Sequence, residues 1–457
     1  MRRKWYYVGG GCAAVAAVCL VLWLCLRPRG GDCSSALPKE ATLVARIDLR
    51  GLLEQGGISE KGLPLMADKE LATGGIDLCR PSYGFVCRGY CGAVVPLSDR
   101  DAFLRQTAEL HGKVSRQGGL RWTVFGGSWL VALDREKLVA IGPATTQEQE
   151  GLRELLASCM RQKSTEVDGE LLKALGQRQE PVCFATNGEM LPESLTACLK
   201  AALPEGVTLG DFALSAGLRA EDGALTLRLN VDGRSKKARA FLTELDSVLR
   251  PIDTYMPACE QPFLHLEAGL SGERLLELLR GNPRTRTALL AANMAVDLDM
   301  AVKSIDGDIS LTMPTFALFE AQVAVQAELR DSAFMGNIKD WTGLKIVPAR
   351  NDFYLCSYRG AACYFGLLGG RLVVTNAERY TLAPALASPL PKEAQGQKVY
   401  AALDFSGISE LLTFLPGQRS LSKIETLTLS SKDVREWTLT LRAGQGEDLL
   451  RYLLKGE

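Results

Sequence analysis

The chain reads as an α+β protein of duplicated antiparallel sheets with helices packed on one face, preceded by one N-terminal transmembrane helix. Three observations carry that expectation. A strand–helix unit, a three-strand meander and a hairpin–helix unit each recur in the second half of the 457 residues. Apolar residues within them alternate with the period of two that half-buried strands require. An uncharged run of 19 residues, Val8 to Leu26, lies near the N-terminus.

That run is close to the roughly 20 apolar helical residues that a bilayer core demands. Arg2, Arg3 and Lys4 ahead of it predict a cytoplasmic tip, and Trp5, Tyr6, Tyr7 and Trp23 suit the interfaces. A cleaved secretory signal would have a shorter apolar region, and the small residues Ser34, Ser35 and Ala36 lie too far beyond it. A lipoprotein signal would have a small residue before a cysteine, whereas Cys19, Cys25 and Cys33 follow Val18, Leu24 and Asp32. An uncleaved signal anchor fits best. It places everything after Arg27 in the periplasm or at the cell surface. Residues 1–27 are then tip and anchor, and the Gly/Pro/Ser-rich residues 28–40 a linker. Residues 41–255 and 256–457 form two α+β halves of an ectodomain, divided near "TYMPACEQ".

The strand–helix unit is "LVARIDLRGLLE", Leu43 to Glu54. It returns in register as "VYAALDFSGISE", Val399 to Glu410, with Asp48 over Asp404 and Gly51 over Gly407. The lead-in "LPKEA" precedes both. A looser copy, "LHLEAGLSGERL" from Leu264, has Gly269 in place of the aspartate, so the corner does not need a carboxylate. Asp48 reads as architectural, an N-cap of the kind helices favour. The meander "LRWTVFGGSWLVALDREKLVAIG" is repeated from Phe353, with turns at Gly126-Gly127, Asp134-Arg135, Arg359-Gly360 and Gly369-Gly370. The hairpin–helix unit runs from Ala213 and returns from Glu425. The economical account is a duplication with rearranged unit order.

The openings "LPKEATLVARIDLRGLLEQGG", "GAVVPLSDRDAFLRQ", "GGSWLVALDREKLVAIG" and "KSIDGDISL" resemble a Bacteroides-type cell-envelope family labelled domain of unknown function 4836, over most of residues 37–457. The resemblance implies an exported, envelope-tethered α+β protein and brings no functional residues with it. Members often begin with a lipoprotein signal, from which this sequence departs.

Composition excludes more than it assigns. There are 53 basic and 53 acidic residues, and removing the four basic residues of 1–27 leaves a net charge of −4. Such a mixed surface gives no nucleic-acid groove. No glycine-rich strand-to-helix motif supports a nucleotide. With two histidines, His111 at a helix end and His265 on a strand, no catalytic triad or multi-histidine metal site is expected. Asp297, Asp299, Asp306 and Asp308 lack calcium-loop spacing; the first two read as a solvated strand face and Asp306-Gly307 as a turn. Catalytic, cofactor-binding and metal residues are therefore set at none, and cofactors at none. Of 13 cysteines, ten lie outside the apolar run; Cys356 and Cys363 would face each other across a two-residue turn, as a disulfide or as two buried thiols. The expected role is binding or scaffolding, with the membrane and other envelope proteins as partners. The alternative is a hydrolase of an envelope polymer using carboxylates that only the fold assembles.

Overall fold

The structure, a computed structural model, describes residues 33–55, 74–77, 80–162, 169–191, 196, 200, 203–221, 223–294, 297–315, 321–340, 345–358, 361–381, 389–406, 424–444 and 449–450. The apolar run 8–26 lies outside them, and among the described residues no helix is long and apolar enough to cross a membrane. The fold is α+β with extensive antiparallel sheet. It divides into two compact units, Met1–Met190 with Ala213–Asp222 and Leu450–Gly456, and Leu191–Phe212 with Gly223–Leu449. That division falls inside the first hairpin–helix unit rather than near Thr254.

The strands of the first unit are β1 (Ala41–Ile47), β2 (Ser82–Cys87), β3 (Tyr90–Pro96), β4 (Ser115–Gln117), β5 (Leu120–Phe125), β6 (Trp129–Leu133), β7 (Lys137–Gly142), β8 (Val182–Asn187) and β9 (Phe212–Glu221). They pair in the order β4-β5-β6-β7-β3-β2-β1-β8-β9, every neighbour antiparallel. The second unit holds β10 (Ala224–Gly233), β11 (Leu249–Arg250), β12 (Leu264–Ser271), β13 (Ile305–Met313), β14 (Ala324–Leu329) and β15 (Lys345–Pro348). It continues with β16 (Phe353–Tyr358), β17 (Ala361–Leu368), β18 (Arg371–Thr375), β19 (Val399–Asp404), β20 (Ile424–Asp433) and β21 (Glu436–Ala443). Their order is β15-β16-β17-β18-β14-β13-β12-β19-β20-β21-β10, and β11 pairs with β12 just past the end of β19.

Set side by side, the two orders match strand for strand from β4 and β15 to β9 and β20. No rearrangement is needed. The partner of β1 is β12, its looser sequence copy, while the closer copy, β19, stands where β8 stands. The reason is shared corner chemistry: Asp48 Oδ1 accepts from Gly51 N at 3.0 Å and Asp404 Oδ1 from Ser406 N at 2.9 Å. The similarity marks an Asx-type corner, not equivalent strands.

Helices cover both faces of the first sheet, not one. The helix Thr146–Arg161 opens with a capping box between Thr145 and Glu148 and buries Leu152, Leu156 and Met160. With the helix Gly169–Gly176 it packs on the face bearing Val44, Phe85, Val94 and Val139. The helix Arg100–Gln106 lies on the opposite face, where its Phe103 meets Phe125 of β5 with ring centroids 6.0 Å apart. Val95, Val131, Leu133 and Leu138 are buried on that face too, so it also needs a cover. Composition made 28–40 a linker, yet Cys33, Ala36 and Leu37 are buried in the core of the first unit.

Candidate functional site

Register places each side chain of one sheet against its counterpart in the other. Across the first sheet one row reads Val44, Phe85, Gly92 and the next Arg46, Tyr83, Val94. The same rows in the second sheet are His265, Thr312, Ala324 and Glu267, Ser310, Gln326. His265, Glu267, Ser310 and Thr312 have no exposed surface, and Gln326 is 3 % exposed. A strand face that alternates polar and apolar has here been turned over: Leu266 is the exposed residue at 37 %.

These polar groups hold down the segment 253–258, which runs over them without regular structure. Asp308 Oδ2 accepts from Asp253 N at 2.9 Å, from Thr254 N at 2.5 Å and from Thr254 Oγ1 at 2.8 Å. Glu267 Oε2 accepts from Met256 N at 3.2 Å. Ser310 Oγ and Gln326 Nε2 both donate to Met256 O at 3.0 Å, and Ala258 N donates to Thr312 Oγ1 at 3.1 Å. An irregular segment with buried backbone must find such partners; here the sheet supplies them.

Within this network Thr312 Oγ1 lies 3.1 Å from His265 Nδ1, and His265 Nε2 lies 2.7 Å from Glu267 Oε2. The threonine hydroxyl accepts from Ala258 N; when its own hydrogen points at Nδ1, the imidazole proton sits on Nε2, facing Glu267. The sequence gives no such hydroxyl–imidazole–carboxylate relay. It is nevertheless closed: the Tyr255 ring stands edge-on to His265, centroids 4.6 Å apart. Burial raises the Glu267 carboxyl above its ordinary range against the pull of His265, and burial raises Asp308 against the donors of Thr254. Burial also pushes the Tyr255 hydroxyl up to about 12.

An open feature lies in the first unit. A cleft of about 610 Å³ is lined by Arg100, Arg116, Arg121 and Arg135 with Asp134 and Glu136. The Gly118-Gly119 turn, both residues at positive φ, sets Arg116 directly opposite Arg121. Arg121 bonds Asp101, and Asp134 Oδ1 is occupied by the N–H groups of Glu136 and Lys137 at 2.8 Å. Neither Arg116 nor Arg135 has an ion-pair partner among the described residues.

The remaining sequence candidates fall into structural places. His111 reaches the carbonyl of Leu104, near the end of the helix Arg100–Gln106, at 3.1 Å. The cap at the start of that helix is Asp99. Asp297 and Asp299 are not on a strand. Asp297 caps the helix Leu298–Ser304, whose backbone it meets at Met300 N. Asp306 and Gly307 sit inside β13 at a register shift against β14, not in a two-residue turn. Among the described residues no three metal-ligating side chains converge. Cys356 and Cys363 are directly opposite on β16 and β17, and both are free thiols; the Arg359-Gly360 turn lies outside the described residues.

No protein-family model matches the chain, and no curated protein does. Among solved structures, crystal form I of TP0453 overlaps at a TM-score of 0.29 with 12% identity, covering 45% of this chain and 79% of that one. Form III gives 0.30 and 13%, covering 50% and 89%. Overlaps at this level carry no argument about function.

Proposed function

We propose that the protein is a non-enzymatic binding or scaffolding protein, duplicated in evolution, held at the membrane by residues 8–26 and facing the periplasm or cell surface. One observation carries the reading: the two carboxylates raised by burial, Glu267 and Asp308, are used up in pinning backbone, while the residues that line the open, charged cleft include no Ser, Thr, Cys or His. The matching strand orders support the duplication. The resemblance to domain of unknown function 4836 supports the tether. The edges do not invite strand addition, since β4 has three residues and β15 four, bounded by Lys345 and Pro348. Partners are expected at a groove instead.

Cross-linking in intact cells followed by mass spectrometry tests this; recovery of no partner above background would sink it. Protease added to spheroplasts should remove the ectodomain, and full protection would overturn the topology. The competing hydrolase reading rests on the Thr312–His265–Glu267 relay. It requires segment 253–258 to lift, so a hydroxyl-reactive phosphonate probe should leave Thr312 unlabelled.

A further inference from the structure

The Arg116–Arg121 pair is a cost with no structural return. Like charges directly opposite on neighbouring strands destabilise the pair. Asp101 pairs with one of the two; the other, like Arg135, makes no ion pair among the described residues, although Asp134 and Glu136 line the same cleft. Arg100 adds a third observation, since its Nε is buried without an acceptor although the same side chain has an amino group 3.6 Å from Asp101. A buried donor left unmade costs more than a bond gains. In the second sheet the residue that aligns with Arg121, one before Phe353 in the turn that leads into β16, is Asp352, of opposite sign. The fold therefore does not need arginine there. Guanidinium groups converging with unmet donors suit an oxyanion, which accepts several charge-assisted bonds in their fork geometry. The volume exceeds what a bare ion fills and lies in the range of small-molecule sites.

We propose that this cleft binds a phosphate group carried on a polar organic body, with Arg116 and Arg121 as the clamp and Arg100 and Arg135 as flanking donors. This rests on the binding reading above. The ligand is either a soluble phosphate ester or a phospholipid headgroup, which present the same chemistry.

The test titrates the full chain in nonionic detergent micelles with glycerol 3-phosphate by calorimetry. It then repeats the titration in micelles doped with phosphatidic acid. Saturable binding should weaken about tenfold in Arg116→Ala and in Arg135→Ala, the loss of about one charge-assisted contact each. Arg88→Ala, remote from the cleft, should change nothing. Arg100→Lys, which keeps charge but removes the buried Nε, should also weaken it. Competition by phosphatidic acid would assign the headgroup; its absence would assign the soluble ester. Without ligand, Arg116→Ala should melt no lower than wild type, because it relieves repulsion, whereas a merely structural arginine would lower the melting temperature. No saturable binding of either phosphate probe, or binding indifferent to Arg116→Ala and Arg135→Ala, overturns the proposal. That result leaves cell cross-linking free to find a partner of other chemistry.

Discussion

The two sheets offer the same face to a covering segment and finish it with opposite chemistry. In the first, Val44, Phe85 and Val94 lie under residues 33–40; in the second, His265, Thr312 and Gln326 lie under residues 253–258. The difference follows from the covering backbone. Residues 33–40 bond to themselves, Leu37 N to Ser34 O and Ala41 N to Pro38 O, each at 3.1 Å. They can rest on an apolar floor. Segment 253–258 makes no such turns, so its N–H and C=O groups are met by side chains from the strands beneath. Buried His, Glu and Asp here answer a backbone demand, and a catalytic reading of them has to explain that demand away.

Truncating Glu267 should separate the two faces most sharply. Glu267→Ala leaves Met256 N and His265 without their acceptor in a closed site, so a loss of about 2–5 kcal/mol, about 1–3 for each stranded group, is expected from urea unfolding. Hydrogen exchange at the Met256 amide should rise first. The matching residue of the first sheet, Arg46, is half-buried and donates to the carbonyls of Arg178 and Glu180 at 3.1 and 3.2 Å. Arg46→Ala should cost about 1 kcal/mol. Equal losses would break the comparison.

The next contrast is one of volume. A Cβ built on Gly92 would stand 2.1 Å from Phe85 Cζ, so Gly92→Ala should cost about 1–3 kcal/mol through overpacking. The same ladder position in the second sheet already carries Ala324, opposite Thr312. Adding Phe85→Leu to Gly92→Ala should recover part of the loss; a purely additive double variant would show that the ring is not the obstacle.

How much of this was legible follows from the same residues. Alternation located the strands. Asp48 was readable as a corner because a copy survived with Gly269. Period two says that a strand's faces differ but not which one is covered, so "LHLEAGLS" gave no sign that His265 and Glu267 face inward. Local similarity likewise matched β1 to β19, since a corner motif is shorter than the pairing that defines a strand's place. The cleft was within reach at one point only: "SRQGGLR" carries a two-residue glycine turn that sets Arg116 against Arg121. Arg100 and Arg135 arrive from other elements, which no spacing reveals.

Hairpin ends differ as well. Phe125 and Trp129 are opposite in the first sheet, where Cys356 and Cys363 are opposite in the second. In an oxidising compartment the second pair is expected to link, for about 2 kcal/mol given so short a loop. A non-reducing peptide map should contain the Cys356–Cys363 cross-link, and Cys356→Ser should lower stability only under oxidising conditions. A map without it removes this contrast between the hairpins.

The smallest effect expected is one of pH, and its sign differs between the units. Glu267 and Asp308 are raised by burial, so the folded second unit holds protons that the unfolded chain has released. Their contribution is complete below the ordinary values of 4.5 and 3.8 and is lost as pH climbs through the raised ones. In the first unit burial opposes the shift of Asp101, but Arg121 and Arg100 hold its carboxyl below the ordinary 3.8. That contribution is present above 3.8 and is lost as pH falls through the lowered value. Hydrogen exchange followed from acid to neutral pH should therefore show protection declining at Met256 and not at Val139. Glu267→Gln, which cannot titrate, should flatten the Met256 trend at a fixed cost in stability. A decline shared by both amides would mean that the buried carboxylates are not its source, and that the polar floor of the second sheet is electrostatically as quiet as the apolar floor of the first.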